Sequence, residues 1–81
     1  MRFDEAPERW EVVLRSGQVL EVWADAYAEH DGAYVFDIAG TGTPEEQAGW
    51  EVTARRPADR SRAMVAVVRL PVSAVADIRS V

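Results

Sequence analysis

Apolar and polar residues alternate along residues 18–38, and this alternation constrains the fold more than any other feature of the chain. Every second residue is apolar over 20–28, and the pattern resumes over 34–38. A period of two is typical of β-strands that bury one face. The stretch therefore predicts two antiparallel strands that turn back on each other near Asp31 and Gly32.

The length of that turn decides which side chains share the core. A two-residue loop would place Tyr27 opposite Phe36 and carry acidic residues of the same strand into the interior, where an unpaired charge is costly. A three-residue loop beginning at His30 instead pairs Ala26 with Phe36, so that a small side chain faces a large one. The sequence therefore predicts the three-residue loop, with Gly32 in the left-handed conformation of a bulge.

The turn between the first and second predicted strands also favours a three-residue loop. A three-residue loop over 15–17 places Trp10, Val12 and Leu14 on the face of Leu20. With these two loop lengths, the apolar residues of the first three predicted strands lie on the same face. Residues 24–29 are also rich in alanine, so a helix over them stays open as an alternative.

The other segments complete a small all-β domain. The predicted strands cover residues 9–15, 18–29, 33–39, 50–55, 63–70 and 77–81. In the fifth strand, Met64, Ala66, Val68 and Leu70 are expected to point inward. In its pairing with the fourth strand, Ala54 is expected opposite Met64, Val52 opposite Ala66 and Trp50 opposite Val68. Residues 1–8 show no period and are expected to be a flexible lead-in to a single domain over 9–81.

Two short helical segments are predicted between strands. Thr43 and Glu46 have the spacing of a capping box, with proline between them, which indicates a helical turn near 43–48. Pro71 ends the fifth strand, and a 3₁₀ turn is predicted near 71–75.

Composition excludes several classes of protein. The chain has 81 residues, no cysteine and a net charge of −5, so we expect one modest core without disulfides or thiolate metal sites. No apolar run approaches the ~20 residues of a membrane span, and the first residues lack a secretory segment. A cytoplasmic protein without membrane contact is the resulting expectation.

Charge is divided along the chain. Residues 1–49 carry eleven acids and three arginines, a net charge of −8, whereas residues 50–81 carry six arginines and three acids, a net charge of +3. This asymmetry suits electrostatic pairing, either within the fold or between copies.

Five to six short strands joined by tight turns fit a strongly bent meander that closes on itself. With the segments SGQVLEVWAD, DGAYVFD and LPVSAVADI, the chain resembles the SH3-like and Sm-like small β-barrels, in particular short actinobacterial proteins with this layout. The resemblance covers most of residues 9–81. It implies a barrel of a kind that mostly binds peptides or nucleic acids and rarely catalyses a reaction, so no enzyme is expected. Neither the RNA-contact motif of Sm proteins nor the aromatic groove of peptide-binding SH3 domains aligns with this chain.

Motifs for catalysis or for cofactors are weak. His30 lies between Glu29 and Asp31 and could act as a general base or metal ligand, but a solvated turn residue explains it better. The four serines lie outside any nucleophile motif. Residues 40–43 before the helical turn lack the lysine of a P-loop, and a flexible loop explains them better. We therefore expect no catalytic residue, no metal and no cofactor.

Four arginines surround the turn between the fourth and fifth strands. They are Arg55, Arg56, Arg60 and Arg62. Such a cluster could hold phosphates or nucleic acid, and this is the alternative function. The acidic total and the absence of a nearby surface aromatic favour a solvated hairpin tip, so nucleic acid is not the expected partner.

An outward apolar patch rimmed by acids is the main functional prediction. Its expected members are Trp23, Tyr27, Val13, Val19, Val35, Val65 and Val67. The registers also place Glu11 opposite Glu21, which is mildly destabilising without compensation. The sequence therefore predicts a non-enzymatic interaction module that forms a homodimer or binds a protein partner through this face. Cover by another part of the chain stays open as the alternative.

Overall fold

Strands make up most of the computed structural model, which describes residues 2–3 and 6–81. The described strands are Arg2–Phe3 (β1), Glu8–Leu14 (β2), Val19–Ala24 (β3), Ala26–His30 (β4), Ala33–Thr41 (β5), Val52–Arg56 (β6), Asp59–Pro71 (β7) and Val75–Ser80 (β8). A short helix, Pro44–Gln47 (α1), precedes β6, and a 3₁₀ turn, Val72–Ala74, precedes β8. The predictions of an all-β class, of a helical turn near 43–48 and of a 3₁₀ turn near 71–75 are confirmed.

The strands form two antiparallel sheets. The large sheet has the order β1-β5-β7-β6, and β4 also pairs with β5. The small sheet has the order β3-β2-β8. The predicted meander is wrong at two places, because β5 pairs with β7 and leaves β6 at the outer edge, and because β8 pairs with β2 and not with β7.

A core lies between the two sheets. Phe36 and Val12 are fully buried, and Val22, Ala24 and Val75 pack with them. Trp10 packs against this cluster edge-to-face with Phe36, at a centroid distance of 6.4 Å. Its indole Nε1 donates a hydrogen bond of 2.9 Å to the carbonyl of Ala24, which satisfies the polar atom of a partly buried ring.

The β2–β3 hairpin forms as predicted. Gly17 has a φ of +93°, the left-handed conformation that a three-residue loop needs at this position. Leu14 donates its backbone N–H to the carbonyl of Gln18 at 2.8 Å, and Val13 lies opposite Val19. The predicted core face of this hairpin is therefore confirmed.

The β4–β5 hairpin differs from the prediction. Tyr27 lies opposite Phe36, and Ala26 lies opposite Asp37. The loop has two residues, Asp31 and Gly32, with φ values of 49° and 77°. Positive φ at both loop positions is the signature of a type I′ turn. The predicted three-residue loop is wrong, and so is the helical alternative for residues 24–29, because Ala26–His30 is a strand.

The reason is a break at Asp25. The predicted strand over 18–29 divides there, so that β3 belongs to the small sheet and β4 to the large sheet. Asp25 Oδ2 accepts a hydrogen bond of 2.7 Å from the backbone N–H of Ala39, and the Asp25 N–H donates to the Asp37 carbonyl at 2.8 Å. Because the strand is interrupted, the in-and-out alternation restarts, and Tyr27 faces the aromatic cluster.

A second interruption lies in β7. The pairing with β5 shifts between Phe36 and Asp37, where β7 carries one extra residue, Val67. Val65 then lies opposite Ile38, and both are buried. The predicted inward alternation of Met64, Ala66, Val68 and Leu70 is therefore wrong for the first half of this strand.

Pairing between β6 and β7 is partly as predicted. Ala54 lies opposite Met64, but Val52 lies opposite Val65 and not opposite Ala66. Trp50 precedes β6 and therefore does not pair with Val68 as predicted.

The helix α1 is fixed by its cap. The Thr43 side chain accepts a hydrogen bond from the Glu46 N–H at 3.2 Å, and Glu46 Oε1 accepts one from the Thr43 N–H at 3.0 Å. This reciprocal pair is the predicted capping box. The Trp50 indole then lies against Gly42, where a Cβ atom would come within 2.5 Å of the ring.

Part of the predicted lead-in is a strand. Arg2 and Phe3 lie opposite Thr41 and Gly40 of β5, and β2 already begins at Glu8. Ala6 and Pro7 lie in neither a strand nor a helix, and Met1, Asp4 and Glu5 lie outside the described residues.

Candidate functional site

The outer face of the small sheet carries three of the predicted interface residues. Trp23 is 52% exposed and Val19 is 50% exposed, while Val13 is half-buried between Val19 and Asp77 on the neighbouring strands. Two acidic positions separate Trp23 from the valines. The apolar surface is therefore divided into two parts.

Arginines lie on both sides of the two opposed glutamates of this face. Glu21 lies opposite Glu11, as predicted, and Glu11 lies opposite Arg79 on its other side. Arg9 Nη1 lies 3.8 Å from Glu21 Oε1. Arg79 Nε lies 3.6 Å from Asp77 Oδ2, and exposed contacts of this kind contribute little free energy, so the repulsion between the two glutamates is only weakly offset.

The outer edge of β3 is the most unusual feature of this sheet. The Leu14 N–H donates to the Gln18 carbonyl, so the backbone groups of Gln18 point toward β2. Backbone direction alternates along a strand, and Leu20 and Val22 therefore also direct their N–H and C=O groups toward β2. The backbone N–H and C=O groups of Val19, Glu21 and Trp23 point to the other side. Within residues 2–3 and 6–81, no strand pairs with β3 on that side.

The free edge ends at Asp25. Its N–H points to the same side as that of Trp23 and is already bound to the Asp37 carbonyl. The available edge therefore runs over five residues, from Val19 to Trp23.

The inner face is also open at this corner. Leu20 lies on the same side of β3 as the buried Val22, yet it is 36% exposed. A strand added to β3 would cover apolar surface on both faces of the sheet.

The outer edges of β6 and β8 are blunted. Register shifts interrupt both the β2–β8 and the β6–β7 ladders, whereas the β2–β3 ladder has none. Arginines flank the β6 edge, and Asp77 and Arg79 are exposed on β8. Bulges and charges are the devices that prevent strand addition, and β3 has one charged side chain along its edge.

The remaining predicted interface residues lie elsewhere. Val35 and Val65 are 7% and 5% exposed, so the prediction that they belong to an exposed patch is wrong. Tyr27 packs edge-to-face on Trp10 at 5.2 Å between centroids, and it is not on the predicted face. Val67 is exposed, but it lies at the bulge of β7 in the large sheet.

The arginine-rich hairpin is partly committed to internal contacts. Arg55 Nη2 donates a hydrogen bond of 2.7 Å to Gln47 Oε1, and the buried Gln47 amide donates to the Arg60 carbonyl at 2.8 Å. Arg55, Arg56 and Arg62 border an open groove of about 310 Å³, whereas Arg60 lines a neighbouring depression together with Arg55. Three of the four arginines therefore share one groove, and Arg60 lies outside it.

A second groove lies on the outer face of the large sheet. It has a volume of about 360 Å³, and Asp37, Thr53 and His30 are among its lining residues. Burial raises the pKa of the Asp37 carboxyl above its ordinary value, a hydrogen bond from Thr53 lowers it, and the charge of Asp25 raises it.

Histidine chemistry has no support from the geometry. His30 is largely exposed and lies 3.2 Å from the exposed carboxylate of Asp31. Among the described residues, no three acidic or histidine side chains are grouped to hold a metal ion.

The edge was not predicted from the sequence. Its signal is the run Val19 to Ala24, in which only one residue is charged. Recognising it also requires knowing that the chain changes sheets at Asp25, which the alternation does not reveal.

In the described part of the chain, no helix has the length and apolarity needed to cross a membrane. Comparisons of the chain with protein-family models, with curated proteins and with solved structures give no match.

Proposed function

We propose that this chain is a non-enzymatic protein-interaction module that binds an extended segment of a partner along the outer edge of β3. The observation that carries the proposal is the outer edge from Val19 to Trp23, which no strand among the described residues covers and which has exposed apolar side chains at both ends. Strand addition would pair the outward backbone groups of Val19, Glu21 and Trp23, and the side chains beside them would supply specificity.

The proposal includes an SH3-like small barrel as the fold. In support, β2 pairs with both β3 and β8, and the chain bends at Asp25 to join the second sheet. The 3₁₀ turn immediately before the last strand agrees with it as well. The departure from a simple five-stranded path is the insertion of α1 and β6 between β5 and β7.

A second copy of the chain is the less favourable occupant of the edge. An antiparallel self-pair that matches Val19 with Trp23 of the other copy places Glu21 opposite the other Glu21. Directly opposed like charges destabilise a sheet pair. A shift by two residues removes this contact but places Val19 opposite Glu21, so neither register is complementary.

Amide hydrogen exchange combined with peptide selection tests the proposal. In the free protein, the amides of Val19, Glu21 and Trp23 should exchange much faster than those of Leu20 and Val22. A peptide selected from a random displayed library should slow exchange at the three outward positions. Enrichment of no peptide, or protection confined to the large sheet, would contradict the proposal.

Two variants sharpen the test. Glu21→Pro removes an outward N–H at an edge position, where proline is tolerated, and should abolish binding of the selected peptide. Trp23→Lys keeps the backbone edge and places a charge at its end, so it should weaken binding without changing the β2–β3 pairing. Thermal unfolding of each variant shows whether the domain is intact. A folded Glu21→Pro protein that binds the peptide as tightly as the parent would refute the edge as the site.

A further inference from the structure

We infer that the segment bound at β3 is basic at its centre and apolar on both sides, and this inference rests on the proposed function. An antiparallel strand along the edge places one of its residues opposite each of Val19, Glu21 and Trp23, on the outer face of the sheet. On the outer face, the bound strand therefore meets an apolar, an acidic and an apolar side chain of β3 in turn.

The acidic position selects a cation. Glu21 is exposed, and the next side chain along the same row of the sheet is Glu11. Adjacent strands lie about 4.8 Å apart, so a long arginine side chain opposite Glu21 reaches toward both carboxylates. Arg9 lies diagonally at 3.8 Å, at an exposed position where solvent screens it. An acidic residue opposite Glu21 would instead place three carboxylates in one row.

The ends of the edge select apolar side chains. The ring of Trp23 and the side chain of Val19 are each about half exposed, so an apolar residue opposite either one removes surface from water on both strands. Such cross-strand pairs of aromatic and β-branched residues stabilise a sheet.

The inner positions set a further requirement. The residue opposite Leu20 points to the open corner between the sheets and should be apolar, because Leu20 itself is partly exposed there. The residue opposite Val22 meets a side chain that is already buried and should be small. Backbone pairing of the bound segment stops at Trp23, because the next outward N–H, that of Asp25, already donates to the Asp37 carbonyl in β5.

Three synthetic peptides test the inference by fluorescence anisotropy. From the amino end they carry valine, alanine, a variable residue, leucine and valine between threonine pairs, with arginine, glutamine or glutamate as the variable residue. The arginine peptide should bind about two- to fivefold more tightly than the glutamine peptide, and the glutamate peptide should bind most weakly. High salt should reduce these differences.

A charge exchange provides the matched control. The Glu21→Arg variant should reverse the order and prefer the glutamate peptide, and Glu21→Gln should bind all three about equally. Equal binding of the three peptides by the parent, with protection at β3, would refute the basic centre and leave the proposed function intact. If no peptide protects β3, the proposed function fails as well. Concentration-dependent dimerisation that protects the same amides would show a second copy to be the occupant and would overturn the inference.

Discussion

The packing of Trp50 beside α1 requires that residue 42 has only a hydrogen atom as its side chain. A Cβ atom at this position would lie 2.5 Å and 2.7 Å from two ring carbons of Trp50. The ring is bulky and rigid, so the contact cannot be relieved by a small rotation. At Gly49, by contrast, a Cβ atom would have its nearest neighbour, the Glu46 carbonyl oxygen, at 3.7 Å, an ordinary contact.

Gly42→Ala should therefore destabilise the domain by about 1–3 kcal/mol, the usual cost of overpacking. Urea denaturation followed by circular dichroism measures this difference. Gly49→Ala is the matched control and should leave stability unchanged or raise it slightly, because alanine restricts the unfolded chain. Equal losses in both variants would show that the Trp50 contact is not the cause.

Asp37 should make stability depend on pH in the direction opposite to most carboxylates. Because burial raises its folded-state pKa, the folded protein holds this proton more tightly than the unfolded chain. Stability from this residue is present at low pH and is lost as pH rises from the ordinary value of 3.8 through the raised pKa.

Asp37→Asn should consequently raise the melting temperature at pH 7 and have a smaller effect at pH 3. Differential scanning calorimetry across this range measures both. Glu29→Gln, at an exposed position on β4, should show no such gain. A gain that is the same at both pH values would show that ionisation of Asp37 is not responsible.

At the scale of elements, Asp25 determines which sheet each half of the bent segment joins. Its side chain occupies the N–H of Ala39, and its own N–H binds β5, so β3 and β4 cannot form one straight strand. The Asp25 carboxylate also contributes to the raised pKa of Asp37. One residue therefore links sheet geometry and charge.

Asp25→Ala should destabilise the domain by about 1–3 kcal/mol, because the Ala39 N–H loses its acceptor. Asp25→Asn keeps an acceptor oxygen and should retain much of that stability, while it moves the pKa of Asp37 back toward its ordinary value. Denaturation and an NMR titration of the Asp37 carboxyl measure the two effects separately. A loss in Asp25→Asn as large as in Asp25→Ala would argue against the acceptor role.

Local signals explain which elements could be predicted. The β2–β3 hairpin depends on Gly17 and on unbroken alternation, and α1 depends on a cap within four residues, so both followed from the sequence. The β4–β5 register failed because parity counting assumes an uninterrupted strand. The break at Asp25 depends on Ala39, which is distant in sequence, and the burial of Val65 depends on a bulge that alternation does not show.

At the scale of the whole molecule, one aromatic core holds two sheets together. Phe36 is fully buried between them, and Trp10 and Tyr27 pack on it with centroid distances of 6.4 Å and 5.2 Å. Among the described residues, the other large fully buried side chain is Val12, so a domain of this size has little to replace such contacts.

Phe36→Ala should therefore cost about 3–5 kcal/mol, a large part of the stability of a small domain. Trp23→Ala, on the exposed outer face, should change stability by about 1 kcal/mol or less. Urea midpoints of the two variants measure this contrast. A similar loss for both would mean that Trp23 is covered in solution, which would also remove the proposed edge site.

The positions of the three tryptophans have a practical consequence for spectroscopy. One indole lies within the aromatic cluster, one lies against the glycine beside the short helix, and one is half exposed to water on β3 itself. Collisional quenchers such as acrylamide should reach the last ring far more easily than the first. Tryptophan fluorescence of the intact protein should therefore report on core packing through the first ring and on binding at the β3 edge through the last ring, without an attached dye.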